Sequence, residues 1–175
     1  MKQRHLEHID AIVLCGGLGT RLQTVVPDLP KPLARVNGRA FLDILLSRLF
    51  SNGIGRAILC VGHRKEQIIE HIQKEIPRHP SWGKIVFSEE ERPLDTGGAI
   101  KNAESKTTSD PFFVVNGDSW IEGGIDLHAL HDFHKKKNTL ATVVLARPRK
   151  ENDYSAVFLE EDGKIGGFNE KAKED

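Results

Sequence analysis

The chain has 175 residues, with 25 Lys+Arg offset by 25 Asp+Glu, 38% apolar side chains and 16 glycines, an ordinary globular composition that excludes disorder for the bulk of the chain. At about 150 residues per domain the length predicts one domain over 1–175. A neutral chain has no global field to attract nucleic acid or an anionic membrane, no apolar run approaches the roughly 18 residues of a membrane span, and Met1 to Asp10 lacks a signal-peptide core. A soluble cytoplasmic protein is expected, with neither nucleic acid nor membrane as partner.

In chain order, a short apolar strand is expected at Ile12 to Cys15, running into a glycine-rich loop. Helical spacing follows at Phe41, Leu42, Leu45, Leu46, Leu49 and Phe50. Next come a strand at Ala57 to Val61, a helix through Ile68, Ile69 and Ile72, and a strand at Ile85 to Phe87. A glycine-containing segment, Pro93 to Ala99, precedes a short helix. A strand at Phe112 to Val115, a helix through Leu127, Leu130 and Phe133, and a strand at Thr142 to Ala146 complete the alternation. The five runs read as buried strands, and Cys15 and Cys60, which lie in them, as reduced, buried thiols. Beyond Pro148 the pattern changes: Ser155 to Leu159 and Lys164 to Phe168 flank a turn in which Gly163 supplies a positive φ, which predicts a small β-hairpin. Alternating strands and helices predict a Rossmann-like three-layer α/β sandwich with a mostly parallel sheet. In such a sheet ligands bind at the carboxyl ends of the strands.

The first such end carries Gly16-Gly17-Leu18-Gly19-Thr20-Arg21-Leu22, followed by Pro30-Lys31-Pro32. Glycines let a backbone approach polyphosphate closely, and successive N–H groups form an anion-binding concavity. Arg21 offers a planar fork for phosphate oxygens and Lys31 a point charge. Residues 16–39 hold four basic groups, Arg21, Lys31, Arg35 and Arg39, and one acidic group, Asp28, a local excess of +3 in a neutral chain. A P-loop is absent, and a dinucleotide fingerprint would need a glycine at Leu22. The bland alternative is a glycine turn with solvated basic residues.

Three further segments are informative. In Pro93-Leu94-Asp95-Thr96-Gly97-Gly98-Ala99, Asp95 or Thr96 could simply cap a helix, but paired glycines weaken a helix start and suit a flat ring lying on the backbone. Asp118, after Phe112 to Val115, falls on the same rim as the glycine loop and is either a turn cap or one of the carboxylates that hold a hard divalent cation. Glu170-Lys171 by itself is surface charge. Glu89-Glu90-Glu91 reads as a solvated strand exit, with Glu91 near the ring-binding loop. His128, His131 and His134 do not converge with a further ligand, so no metal site is expected there, and Lys135 to Lys137 suit the negative end of their helix.

From Ala11 to Lys171 the order of these motifs resembles the sugar-1-phosphate nucleotidyltransferases. The resemblance implies a nucleotide-diphospho-sugar transferase fold and transfer of a nucleoside monophosphate from a nucleoside triphosphate to a sugar 1-phosphate. The product would be an NDP-sugar of the lipopolysaccharide or capsule precursor kind, with pyrophosphate released and Mg²⁺ as cofactor. It implies that Leu14, Gly16, Gly17, Gly19, Thr20 and Arg21 hold the nucleotide, that Lys31 stabilises charge at the transferring phosphorus, and that Thr96, Gly97 and Gly98 contact the base. Asn116 and Asp118 match the Asn-Gly-Asp segment, with Asp118 as metal ligand and Asn116 toward the sugar phosphate. Glu170 and Lys171 match the residues that hold sugar hydroxyls and sugar phosphate. Arg21, Lys31 and Asp118 are thus the implied catalytic set.

Asp95 stands where the family pattern has glycine. Within the family the glycine loop and the Val26 to Pro32 run look most like the guanylyltransferases of D-glycero-D-manno-heptose 1-phosphate. Mannose-1-phosphate guanylyltransferases are next, and Asp95 keeps an amino-sugar uridylyltransferase open. A non-catalytic nucleotide-sugar sensor is the alternative of another class. The resemblance also implies a chain that continues past Lys171 and brings a second metal-binding Asp, so this one is expected to lack the C-terminal end of the family fold. Assembly into a homo-oligomer is left open.

Overall fold

The computed structural model describes residues 6–17, 29–121, 123–146 and 156–169. The chain divides into two compact units, Met1–Lys137 and Asn138–Asp175. The first is built on a parallel sheet of β1 (Asp10–Leu14), β4 (Arg56–Val61), β5 (Lys84–Glu89) and β6 (Phe113–Asn116), in the order β5-β4-β1-β6. Helices α1 (Phe41–Ser51), α2 (Lys65–Glu75), α3 (Asp95–Asn102) and α4 (Leu127–Lys137) alternate with the strands.

The continuous apolar runs of β1 and β4 have the composition of strands covered on both faces. Alternate residues point to opposite sides, so Ala11, Val13, Ala57, Leu59 and Val61 join Leu42, Leu46, Leu49, Ile68 and Ile72 in the main core. Ile12, Ile58 and Cys60 face the other way and pack with Ala99 and Ala103 in and just after α3. The three expected layers are present. Both cysteines are free and buried.

Three of the five expected buried strands differ. In β5, Ile85, Val86 and Phe87 are half-buried rather than buried. Among the described residues β6 pairs with β1 alone; Val114 registers with Ile12, on the α3 side, yet is 40% exposed. Thr142 to Ala146 forms no ladder among the described residues, and Val143 is 53% exposed. An apolar β-rich run signals strand propensity, but a strand exists only through a partner's hydrogen bonds.

A small antiparallel pair, β2 (Arg35–Val36) and β3 (Arg39–Ala40), was not foreseen. It turns on Asn37-Gly38, with φ 49 and 82, the dipeptide and the signs of a two-residue hairpin turn.

At the amino end of β1, Asp10 is 2% exposed. It accepts hydrogen bonds from the backbone N–H groups of Thr108 and Ser109 and from the Thr108 hydroxyl, with Arg56 Nε 3.6 Å away. That knot ties the chain entering β6 to β1 and so helps set their register.

In the second unit β7 (Ala156–Leu159) and β8 (Ile165–Asn169) pair antiparallel around Gly163, φ 84. The expected hairpin is present; its first expected residue, Ser155, lies outside the described residues. No helix among the described residues is long and apolar enough to cross a membrane.

Candidate active site

After β1 the chain moves to one side of the sheet, to β4 and β5, and later returns to the other side as β6. The carboxyl ends of β1 and β6 therefore flank the point where strand order reverses, the position at which open α/β sheets form a crevice. A cleft of about 360 Å³ opens there. Leu14, Cys15, Gly16 and Gly17 line it from the end of β1, and Asn116 and Asp118 from the end of β6. Lys31 and Pro32 close one wall; Glu90, Pro93, Leu94, Asp95, Thr96 and Ala99 form another.

The two strand ends are locked together. Gly117 donates its N–H to the Leu14 carbonyl at 2.9 Å, and a Cβ at Gly117 would stand 2.7 Å from both Cys15 Sγ and that carbonyl oxygen. Only glycine permits so close an approach. Lys31 opens a 3₁₀ turn, Lys31–Leu33, between two prolines, and buried Pro32 and Leu33 anchor it. Its Nζ stands 3.5 Å from Asp118 Oδ2.

Glu90 is a functional candidate that the sequence reading missed. It is 8% exposed, not a solvated strand exit. Strand alternation continues past β5, with Ser88 and Glu90 buried and Glu89 and Glu91 exposed; extending the period of two beyond Ser88 would have singled it out. The Leu94 N–H donates to its Oε2 at 3.3 Å. Space for the carboxylate comes from Gly16, where a Cβ would stand 2.7 Å from Glu90 Oε1.

The start of α3 also differs from expectation. Its N-cap falls on Leu94 and has no side-chain cap hydrogen bond, so Asp95 and Thr96 do not act as caps; the Glu90 carboxylate takes the Leu94 N–H instead. Asp95 has φ 55, the left-handed region that favours glycine and that Asp tolerates better than most residues. Asp95 thus holds a backbone conformation that glycine adopts freely.

Of the residues singled out in the sequence, Leu14, Gly16, Gly17, Lys31, Thr96, Asn116 and Asp118 come together in the cleft. Gly97 and Gly98 follow on the first turn of α3, outside the lining, and a Cβ at Gly98 would stand 2.9 Å from the Leu94 Cβ. Gly19, Thr20, Arg21, Glu170 and Lys171 lie outside the described residues.

Among the described lining residues, Glu90, Asp95 and Asp118 face a single ammonium, Lys31. Asp118, 44% exposed and beside open space, fits the one carboxylate that a hard divalent cation uses alongside water and phosphate oxygens. Cys15 is no rival nucleophile: burial, then Cys60 and then Asp118 push its thiol well above the ordinary value, and the thiolate is the reactive form.

A family model described as nucleotidyl transferase matches residues 10–175. The chain is 36% identical over 163 residues to a D-glycero-alpha-D-manno-heptose 1-phosphate guanylyltransferase of Campylobacter jejuni, covering 93% of this chain and 69% of that one. It is 35% identical to a mannose-1-phosphate guanylyltransferase of Mycobacterium tuberculosis, covering 95% of this chain and 45% of that one. A crystal structure of HddC from Yersinia pseudotuberculosis complexed with GMP-PN superposes with a TM-score of 0.72 at 29% identity, covering 94% of this chain and 70% of that one.

Proposed function

Because the chain belongs to the nucleotidyl transferase family, we propose that it transfers GMP from GTP to a heptose 1-phosphate and releases pyrophosphate. The buried Glu90 carboxylate in the cleft wall carries the choice of base. An ionised carboxylate only accepts hydrogen bonds. Guanine presents two donors side by side, N1–H and the N2 amine, whereas uracil presents one and adenine and cytosine oppose a ring-nitrogen acceptor to it. The likeness to guanylyltransferases and to a structure complexed with GMP-PN supports the same base. Heptose is preferred to mannose on the likeness of the glycine loop and the Val26 to Pro32 run to the heptose enzymes, and the 36% identity to one of them over 93% of this chain supports it.

In this reading an oxygen of the sugar phosphate attacks the α-phosphorus in line. The bond from that phosphorus to the α,β-bridging oxygen breaks, and its electron pair leaves with pyrophosphate. Direct displacement suits a site whose thiol is held protonated, since phosphoryl chemistry can run on positioning and charge neutralisation alone. Lys31 places positive charge beside the α-phosphate, Gly16 and Gly17 offer backbone to the phosphates, and Asn116 faces the sugar phosphate. Asp118 would hold the divalent cation, for which we propose Mg²⁺; when bound, it supplies charge neutralisation to the phosphate oxygens.

The test is pyrophosphate release with each of the four nucleoside triphosphates against heptose, mannose and amino-sugar 1-phosphates. GTP with heptose 1-phosphate is expected to be fastest. Nucleotide binding without release from any pair would overturn the reading in favour of a non-catalytic sensor.

A further inference from the structure

Lys31 and Asp118 serve two different ligands in the proposed reaction, a phosphate and a cation, yet without either they neutralise each other across 3.5 Å. Both ends of the pair are stiffly held. Lys31 sits between Pro30 and Pro32 on a turn anchored by buried side chains, and Asp118 follows Gly117, which is bonded to Leu14 and has no room for a Cβ. A cation bound to the Asp118 carboxylate at about 2 Å would stand within about 6 Å of the Lys31 ammonium. That range lies inside the Debye length of about 8 Å at physiological salt, so the repulsion is only partly screened.

We propose that this ion pair makes cation binding at Asp118 conditional on phosphate binding at Lys31. Two charges are exchanged together: a phosphate oxygen takes the ammonium as the cation takes the carboxylate. The nucleotide-free chain therefore binds divalent cations weakly, and phosphate and cation bind with positive coupling, a reciprocal free energy. The proposal rests on the reading of the cleft as a nucleotide site.

The test uses Mn²⁺ as probe, titrated into the full chain without nucleotide and followed by the electron paramagnetic resonance signal of free Mn²⁺. Lys31→Met is expected to bind Mn²⁺ about tenfold more tightly than the wild type, since it removes both a competing partner and a like charge. Lys31→Arg, which keeps the charge, should resemble the wild type, and the gain should vanish in the Lys31→Met/Asp118→Asn double variant. GMP, a weak chelator, should tighten Mn²⁺ binding to the wild type by a larger factor than to Lys31→Met, which has no ion pair to release; equal factors overturn the proposal. Circular dichroism checks folding, with Lys31→Gln as the substitute if Lys31→Met fails to fold.

Equal affinities for the wild type and the neutral variant overturn the proposal, as does a gain that persists without Asp118. A chain that passes this cycle but releases no pyrophosphate refutes the transferase reading and leaves the ion pair standing. The reverse pattern refutes the ion pair alone.

Discussion

Lys31 and Glu90 are held in the same cleft by different means, and their substitutions should separate accordingly. Lys31→Ala removes a charge preorganised for the α-phosphate and is expected to lower kcat by about 10²–10³; near-normal pyrophosphate release in this variant would remove Lys31 from the catalytic role. Glu90→Gln keeps size and an acceptor for the Leu94 N–H but weakens a charged hydrogen bond to the base. It should lower kcat/KM for GTP on the order of 10–100-fold while raising relative use of UTP, read by parallel assays with the two nucleotides. Lys31 was legible in the sequence because two prolines bracket it beside a glycine loop. Glu90 was not, because its neighbours Glu89 and Glu91 are chemically identical and only strand phase separates inside from outside.

At the level of elements, the switch point depends on β1 and β6 ending in contact. Gly117→Ala would place a Cβ 2.7 Å from Cys15 Sγ and the Leu14 oxygen, so a loss of about 1–3 kcal/mol is expected in urea denaturation. An unchanged midpoint would show that the two strand ends yield freely. The entry to α3 gives a second check. Asp95 lies at φ 55, so Asp95→Gly should be neutral or gain up to about 1 kcal/mol, whereas a β-branched Asp95→Val should lose about 1–2 kcal/mol; the order of melting temperatures decides it. The helices were legible from apolar spacing and the central strands from continuous Val/Ile runs. Asn37-Gly38 carried a hairpin signal that went unread. Thr142 to Ala146 carried a strand signal with no partner to satisfy it among the described residues.

For the whole molecule, a sheet covered on both faces leaves its mark on the pH dependence of stability. Burial, then the Glu90 charge, pushes Cys60 from 9.0 up to about 11, and Cys15 is raised in the same direction. The folded state holds these protons more tightly than the unfolded chain. The Cys60 contribution is therefore fully present below about pH 9 and is lost as pH rises through about 11. Denaturation midpoints should fall across that window, and Cys60→Ala should flatten the fall; a midpoint independent of pH there would show the thiol is not desolvated. The layer order and the kind of chemistry could be read in one dimension, because hydrophobic period and the glycine, lysine and carboxylate motifs are local properties of the chain. The pairing of Lys31 with Asp118, the burial of Glu90 under Gly16 and the bond from Gly117 to the end of β1 could not. Each joins residues far apart in sequence, and the distance between them is set only when the parallel strands cross over and bring their carboxyl ends to one rim.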